Sequence, residues 1–512
     1  MGSAFAKVPN RGVITACAMV ATLMQALDST IANVALPYMQ GSLSATFDQI
    51  TWVLTSYVIA AAIMTAPVGW MAARYGRKNL FLVCIAGFTV ASMMCGAAQT
   101  LSQIVIFRLL QGVFGAALVP LSQATMLDIY PPEQRGSAMA IWGMGVMVGP
   151  ILGPTLGGYL TEHYNWRYVF FVNLPFGIAA LAGLAIFMPR ATRARELRFD
   201  WLGFGVLSLG LGAFQLMLDR GQNLDWFSAT EVITEAVLAG LEFYLFLVHM
   251  FTAEKPFIPV AIFRDVNFSA SLAMMFAVGM VLLASSALLA PYLQDLGNYP
   301  VETAGLVMAP RGIGTMFAMM VAGRLANRTD PRVLMGFGIL LLCLSLYWMT
   351  GWTPDISARQ IIITTVVQGL GLGFVFIPLQ VVAFATLPAT MRTDGTALLS
   401  LLRNVGSAIG ISVTSALLAN NQQVLHAILG GFLTPFSPAL HAGGAAGRIL
   451  DPNTPQGVAL LDAMVRRQAA IIAYVDDFKF MLLTSLPTLL LLPLMRRPRL
   501  AAAAPEHAAV MD

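Results

Sequence analysis

Charged residues are scarce in this sequence. Only 11% of its 512 residues are Asp, Glu, Lys or Arg, whereas 58% are hydrophobic; soluble domains carry about 25% charged residues. So few charges leave too little polar surface to cover a soluble globule of this length. The composition therefore excludes an ordinary soluble domain and predicts an integral membrane protein.

The sequence also lacks the usual marks of metal, disulfide or nucleotide chemistry. Its four cysteines lie in apolar segments without paired spacing, so neither a disulfide framework nor a zinc site is predicted. It contains no Gly-rich phosphate-binding loop of the Gly-x-x-x-x-Gly-Lys-Ser/Thr kind. We therefore predict a protein that is not an enzyme, needs no cofactor, binds no nucleic acid and draws energy from an ion gradient rather than from ATP.

Long apolar segments are abundant. A membrane-spanning helix needs about 20 mostly apolar residues. The segments that meet this description are 14–36, 49–72, 79–98, 104–127, 136–160, 167–188, 201–219, 233–252, 268–291, 302–325, 332–350, 360–386, 394–419 and 476–495. Most of the 29 Lys and Arg residues fall in alternate loops, on the side of the N-terminus. The segments predict fourteen helices, and the asymmetry of positive charge predicts that both termini lie in the cytoplasm.

Three pairs of similar segments reveal an internal repeat. In chain order they are 66–78 with 320–332, 111–121 with 368–379, and 147–153 with 404–410. Two parallel repeats of six helices are the plan of the major facilitator fold, in which two bundles rock around a central site. We therefore predict an all-α polytopic membrane protein with two six-helix bundles and two inserted helices.

This division sets the expected domain boundaries. The N-terminal bundle is predicted at 1–190, a linker with the two inserted helices at 191–260, and the C-terminal bundle at 261–499. Within the last, residues 420–475 contain Gly, Pro, His and Gln and are predicted to form a long periplasmic loop. The alanine-rich tail at 500–512 is predicted to be disordered.

Asp28 is the first candidate functional residue, because it lies in an otherwise apolar segment. A carboxylate at membrane depth costs about 2.5–3.5 kcal/mol, and burial and a nearby arginine act in opposite directions on its protonation. We interpret Asp28 as a proton-coupling residue; the alternative is a helix-end residue near the external surface. On a helical wheel it shares one side, predicted to face a cavity, with Gln25, Ser29 and Asn33. The helix is expected to end at Pro37.

Arg108 is the second candidate, within the segment 104–127. Its side chain cannot lose its proton, so its predicted role is to tune Asp28 electrostatically; pairing with carbonyls or a structural acid is the alternative. Arg311 and Arg403 also lie within apolar segments. They either line the cavity or pair with acids, and the sequence does not choose between these roles.

Two further motifs predict conformational roles. The segment 136–160 carries glycines at every fourth position and two prolines, which predict a smooth, bendable seam between the halves: Gly145, Gly149, Pro150, Gly153, Pro154 and Gly157. Arg74 and Arg77 lie in the loop after the second helix, and Asp128 lies at the same end of the fourth. These three form either a latch or a plain cluster of cytoplasmic positive charge.

The three motifs resemble those of a known family. LDSTIANVALP (27–37), RLLQGVFGA (108–116) and GPILGPTLGG (149–158) are similar to motifs of the fourteen-helix drug:proton antiporters of the major facilitator superfamily, the EmrB/QacA group. The segment 217–231 resembles the EmrB branch of Gram-negative bacteria. One position departs from the pattern: the loop motif has an Asp before its first Arg, where this chain has Ala73.

The resemblance implies a function and partners. It implies export of hydrophobic toxic compounds across the inner membrane in exchange for protons, with Asp28 as the required acid and Arg108 assisting. It further implies a periplasmic adaptor (membrane fusion protein) and an outer-membrane channel. One alternative is a proton-coupled exporter of a single physiological substrate, such as a siderophore, a fatty acid or a secondary metabolite. Another is a membrane sensor or assembly component that transports nothing.

Overall fold

The computed structural model describes residues 10–189, 198–254, 256–326, 328–353, 355–433 and 454–496. These ranges contain no β-strand, and their α-helices are α1 (Arg11–Ser42), α2 (Phe47–Thr65), α3 (Val68–Tyr75), α4 (Arg77–Ala97), α5 (Leu101–Gly115), α6 (Leu118–Ile129), α7 (Arg135–His163), α8 (Tyr168–Phe171), α9 (Asn173–Phe187), α10 (Trp201–Arg220), α11 (Thr230–Thr252), α12 (Val266–Pro291), α13 (Val301–Leu325), α14 (Pro331–Met349), α15 (Ala358–Ala383), α16 (Arg392–Gly431) and α17 (Pro455–Ser485). The all-α prediction is confirmed.

The number of spans is close to the predicted fourteen. In the described ranges, twelve helices or continuous helix pairs are long and apolar enough to cross a membrane, and the pair α2–α3, bent by 59°, is a thirteenth. The last predicted span, 476–495, is not one helix. It begins inside α17, and a 3-10 turn at Leu486–Leu491 follows Ser485. Pro487 sits in this turn, where its missing N–H prevents a regular α-helix from continuing.

The helices pack as two bundles with an inserted pair. Helices α1–α9 form the first half and α12–α17 the second, and the main contact between the halves is α7 against α13. The inserted helices α10 and α11 pair with each other, and α10 contacts both α2 and α16. The predicted boundary at 190 falls outside the described residues, and the one at 260 falls at the short turn Val260–Arg264 before α12.

One pair of equivalent helices, α5 and α15, begins with the same local chemistry. The Thr100 hydroxyl accepts a hydrogen bond from the Gln103 amide at the start of α5, at 3.3 Å. The Ser357 hydroxyl accepts one from the Gln360 amide at the start of α15, at 3.4 Å. Such N-caps satisfy backbone donors that a helix leaves unpaired in its first turn. The repeat is therefore visible at the start of these two helices.

The predicted periplasmic loop at 420–475 is wrong at both ends. Helix α16 continues to Gly431 and α17 begins at Pro455, so helix covers most of that segment. The two extensions are joined by His426 and Asp462, whose Nε2 and Oδ1 atoms lie 2.8 Å apart. Residues 420–431 and 455–475 of the predicted loop therefore lie in helices, whereas 434–453 lie outside the described residues. The tail predicted at 500–512 lies outside the described residues.

The predicted end of the first helix at Pro37 is also wrong, because α1 continues through it to Ser42. A proline removes one backbone donor, and membrane helices accommodate that loss through neighbouring groups. Pro37 therefore lies within the helix, five residues before its end.

Candidate functional site

A buried ion pair lies inside the first half. Helix α1 supplies Asp28 and α5 supplies Arg108, with Asp28 Oδ2 and Arg108 Nη1 2.6 Å apart. The side chains are 0% and 1% exposed. The structure thus brings together the two residues that the sequence singled out, and it shields both from water in this conformation.

Two amides complete the surroundings of the Asp28 carboxylate. Gln111 Nε2 donates a hydrogen bond to Asp28 Oδ1 at 2.9 Å, and Asn173 Nδ2 donates to the same oxygen at 3.2 Å. A buried charge is tolerated only when it is paired and hydrogen-bonded. Here both carboxylate oxygens have partners, from α5 and α9, so the charged form of Asp28 fits this pocket.

The Arg108 guanidinium is held on several sides. Its Nε donates to the Val53 carbonyl at 3.1 Å, and its Nη1 donates to Gln111 Oε1 at 2.8 Å. The guanidinium carbon lies 4.3 Å from the centre of the Tyr57 ring, a geometry in which the ring face attracts the cation. Arg108 therefore has partners that do not depend on Asp28.

The other polar residues predicted on the α1 stripe separate into different environments. Gln25 Nε2 donates to the Tyr57 hydroxyl at 3.2 Å, which connects it to the ion-pair cluster. Ser29 donates to the Ala26 carbonyl of its own helix at 2.8 Å, and Asn33 is exposed. Asp28 itself faces the interior of its bundle, so the expectation that it lines an open cavity is not met in this conformation.

Three residues of the cluster were missed by the sequence analysis: Tyr57, Ser92 and Asn173. Asn173 Nδ2 also donates to the Ser92 hydroxyl at 2.9 Å, and Ser92 donates to the Phe170 carbonyl at 2.9 Å. Each is a polar side chain inside an apolar segment. Uncharged polar residues were considered only on the helix of Asp28, although buried uncharged polar groups on other helices also need partners.

The glycine motif of α7 faces α1 of the same half. A methyl group built on Gly149 would lie 2.6 Å from the backbone carbon of Ala26. The same face places Gly145 against Met19, Gly153 against Thr30 and Gly157 against Ile31. The prediction that these glycines form the seam between the halves is therefore wrong. Helix α7 runs without interruption through positions 150 and 154, where Pro150 and Pro154 lie.

A neighbouring face of α7 makes the contact with the second half. Gly312 of α13 lies against Ile151, and a methyl group on Gly143 would lie 3.0 Å from Met319 Sδ. Nearer the start of α7, Gly323 of α13 lies against the Gly136 carbonyl. A methyl group built on Gly323 would lie 2.7 Å from that carbonyl oxygen. Small residues thus also allow α7 and α13 to pack closely, but at positions other than those of the predicted glycine motif.

A second polar network joins the halves at the end of the bundle where α1 begins, which we call the basic face (Arg77, Asp128, Arg392 and Thr393). Arg77 forms an ion pair with Asp128, whose other oxygen lies 3.1 Å from Arg392 Nη1. Arg77 Nη2 also donates to the Thr393 hydroxyl at 2.9 Å. Arg74 takes no part in this network. The two second-half residues were missed, because their sequence positions give no sign that they approach Arg77.

The two remaining arginines lie in the second half. Arg311 is 8% exposed and donates to the Ser286 hydroxyl at 2.7 Å and the Ser285 hydroxyl at 3.0 Å. Arg403 is partly buried. Neither forms an ion pair with an acid in the described part of the chain. Pairing with acids, one of their two predicted roles, is therefore not observed there.

The profile of the Major Facilitator Superfamily matches residues 18–411. The chain belongs to this superfamily. Multidrug export protein EmrB of Escherichia coli (strain K12) is 35% identical to it, over 84% of this chain and 84% of its own length. EmrB of Haemophilus influenzae is also 35% identical, over 83% and 84%. Fatty acid resistance protein FarB of Neisseria gonorrhoeae is 34% identical over 90% of each chain. These relatives confirm the resemblance that the motifs indicated.

Solved structures agree with the fold of this superfamily member. The human organic anion transporter MFSD10 (TETRAN) superposes with a TM-score of 0.59 at 14% identity, covering 93% of this chain and 100% of its own. A bacterial homologue of the human lysosomal transporter Spinster, inward-facing and occupied, gives 0.57 at 18% identity, covering 96% and 100%. At these identities the likeness establishes the fold alone.

Proposed function

We propose that the protein is a proton-driven multidrug exporter of the bacterial inner membrane, with both termini in the cytoplasm. The observation that carries this proposal is the buried Asp28–Arg108 pair, in a chain 35% identical to EmrB proteins over most of its length. A titratable acid at membrane depth is a recurrent element of proton relays. The described residues contain no cluster of metal-ligating side chains, and the proton gradient is the proposed source of energy.

In this proposal Asp28 carries the proton. While it is paired with Arg108 it has no contact with water, so the pair must open before a proton can reach it. Uptake of a proton converts the carboxylate into a neutral acid and removes its attraction to the guanidinium. Arg108 keeps its charge and its contacts with Val53, Gln111 and Tyr57. Proton binding and substrate binding thereby alternate across the transport cycle.

The basic face would serve as the cytoplasmic gate. In this conformation Arg77, Asp128 and Arg392 tie the first half to the second. Their separation is required before the bundle opens on that side, as alternating access demands. The proposed cytoplasmic position of this face follows from its excess of positive charge.

The proposal is tested by transport in proteoliposomes under an imposed pH gradient. The protein should expel a hydrophobic dye in exchange for protons, and Asp28→Asn should reduce this exchange to background. Asp476→Asn, which removes a partly exposed acid on α17 that pairs with Lys479, serves as the control and should transport normally. Full exchange by the Asp28→Asn protein would contradict the coupling role.

A second candidate function is export of one physiological compound. The similarity to FarB, a fatty acid resistance protein, supports it over 90% of the chain. A strain lacking other exporters would distinguish the two: a multidrug exporter raises resistance to several unrelated compounds, whereas a dedicated one raises it for a single class.

We also propose a periplasmic adaptor and an outer-membrane channel as partners, because the EmrB resemblance implies them. The test is resistance conferred by this gene with and without a co-expressed adaptor. Equal resistance in both strains would argue that the protein works alone.

A further inference from the structure

The repeat pairs residues of the first-half ion-pair cluster with residues of the second half. Residues 37–40 read Pro-Tyr-Met-Gln and residues 291–294 read Pro-Tyr-Leu-Gln. This match aligns α1 with α12 and places Leu282 at the position that corresponds to Asp28. The acid of the first half is thus replaced by an apolar side chain in the second.

Backbone packing supports the alignment of α2 with α13 and of α5 with α15. In the first half, Gly112 of α5 lies against the Tyr57 carbonyl, and a methyl group on it would be 2.5 Å from that oxygen. In the second half, Gly369 of α15 lies against the Arg311 carbonyl. Arg311 therefore corresponds to Tyr57, the residue whose ring covers Arg108.

By the same alignment, Gln368 corresponds to Gln111, and the position of Arg108 is taken by Thr365, whose hydroxyl bonds to its own helix. The second half thus keeps a buried guanidinium and a buried amide, with the guanidinium supplied from a different helix. It lacks the carboxylate that both groups contact in the first half.

Gln368 is the observation that indicates a ligand. Its side chain is 0% exposed, and neither its amide nitrogen nor its oxygen has a hydrogen-bond partner within the described residues. Gln111, its counterpart, donates to Asp28. Native proteins rarely leave both polar atoms of a buried amide unpaired unless water or a ligand completes the site.

Arg311 likewise lacks a partner, in its case a negative charge. It contacts two serine hydroxyls and the Leu282 carbonyl, and no carboxylate in the described chain offsets its charge. A buried cation without a counter-charge is unfavourable. A planar carboxylate matches the donors of a guanidinium and accepts from an amide as well.

We propose that Arg311 and Gln368 bind the carboxylate of an amphipathic organic acid that the protein transports. The bound carboxylate occupies the place that corresponds to the Asp28 carboxylate in the first half. This inference rests on the proposed export function and specifies one chemical class among its substrates.

The position of the site suits a substrate that enters between the halves. Gly312, the residue after Arg311, lies against Ile151 of α7, so the site adjoins the contact that separates when the bundles rock. Ser286, which Arg311 contacts, is partly exposed. The acid group would lie in the second half, and its apolar remainder between the bundles.

The test measures equilibrium binding in nanodiscs without a proton gradient, so that it can fail independently of transport. The probes are the fluorescent acid 11-(dansylamino)undecanoate and its uncharged methyl ester, with empty nanodiscs as background. Arg311→Gln should weaken acid binding about 10- to 100-fold, as expected for lost hydrogen bonds to a charged group, and change ester binding less than about 3-fold. Gln368→Leu should also weaken acid binding selectively while leaving thermal stability unchanged or higher, since no described residue forms a hydrogen bond with the Gln368 side chain.

Three outcomes would overturn the inference. The first is wild-type acid binding in both variants. The second is equal loss of acid and ester, which would indicate a distorted fold. The third is displacement of the acid by chloride but not by gluconate, which would indicate a small structural counter-ion rather than a substrate. Selective binding of the acid without proton-coupled transport would preserve the site but contradict the proposed export function.

Discussion

The two halves of this transporter share a helical plan but differ in the charges at its centre. In the first half an acid, a guanidinium and two amides form a hydrogen-bonded cluster around Asp28 and Arg108. The second half places Arg311 and Gln368 at corresponding positions, and no acid among the described residues forms a hydrogen bond with either of them. The two halves thus share their backbone packing, but the first half contains a carboxylate at its centre and the second half has Leu282 at the corresponding position.

The largest expected effect comes from breaking the first-half pair. Asp28→Asn leaves Arg108 buried without a counter-charge, and removing one member of a buried pair costs about 3–5 kcal/mol. The double variant Asp28→Asn with Arg108→Gln should recover much of this loss without recovering transport. Thermal unfolding of the detergent-solubilised variants measures the difference. Additive losses in the double variant would show that the two residues are not coupled.

A second comparison concerns the glycines that allow close helix packing in both halves. Gly149 lies against α1 and its repeat counterpart Gly406 lies against the Phe276 carbonyl of α12. Alanine at either position should destabilise the protein by about 1–3 kcal/mol, because backbone atoms must move. Gly158→Ala is the control, since nothing lies within 4 Å of the added methyl group. Unfolding temperatures equal to the wild type in both variants would argue against the packing described.

A third experiment makes the second half resemble the first. Leu282→Asp introduces a carboxylate at the position that corresponds to Asp28, next to Arg311. Binding of the dansyl acid should weaken about tenfold or more, equivalent to about 1.4 kcal/mol, because the protein now supplies the anion itself. Leu282→Asn, which introduces a polar side chain of similar size without the charge, is the matched control. Unchanged acid affinity in the Leu282→Asp protein would separate Arg311 from acid recognition.

The smallest expected effect is at the basic face. Asp128 is 33% exposed, and ion pairs of this kind contribute about 0.2–1 kcal/mol. Asp128→Asn should therefore shift the population toward separated halves by a factor of about 5 at most. Spin labels on α3 and α16 measure the distance distribution. Asp330→Asn is the control, because Asp330 pairs with Arg332 of its own half.

The sequence predicted the architecture and the central pair because both leave one-dimensional signals. Apolar segments, a repeat and charges inside apolar segments sufficed for the bundles and for Asp28 and Arg108. Partners such as Asn173 and Tyr57 approach the pair only through tertiary packing, which no spacing in the chain reveals. The direction of a glycine face is likewise set by rotation of α7 about its axis, so the motif was found but its neighbour was misassigned.

The polar ends of the last two long helices were misread for a related reason. Composition distinguishes lipid-facing from water-facing residues, but a helix that leaves the membrane keeps its hydrogen bonds while its side chains become polar. His426 and Asp462 contact each other across two such extensions, and only their three-dimensional proximity distinguishes them from loop residues.

Helix α16 is 40 residues long, which corresponds to about 60 Å, whereas the hydrocarbon core of a bilayer is about 30 Å thick. One rod therefore begins beside the Arg77–Thr393 hydrogen bond and ends well outside the lipid on the opposite side. If α16 tilts so that its first turn moves away from the first half, its other end moves in the opposite direction. A molecule bound to that end would therefore be displaced sideways when the basic face opens, without any change at the Asp28–Arg108 pair.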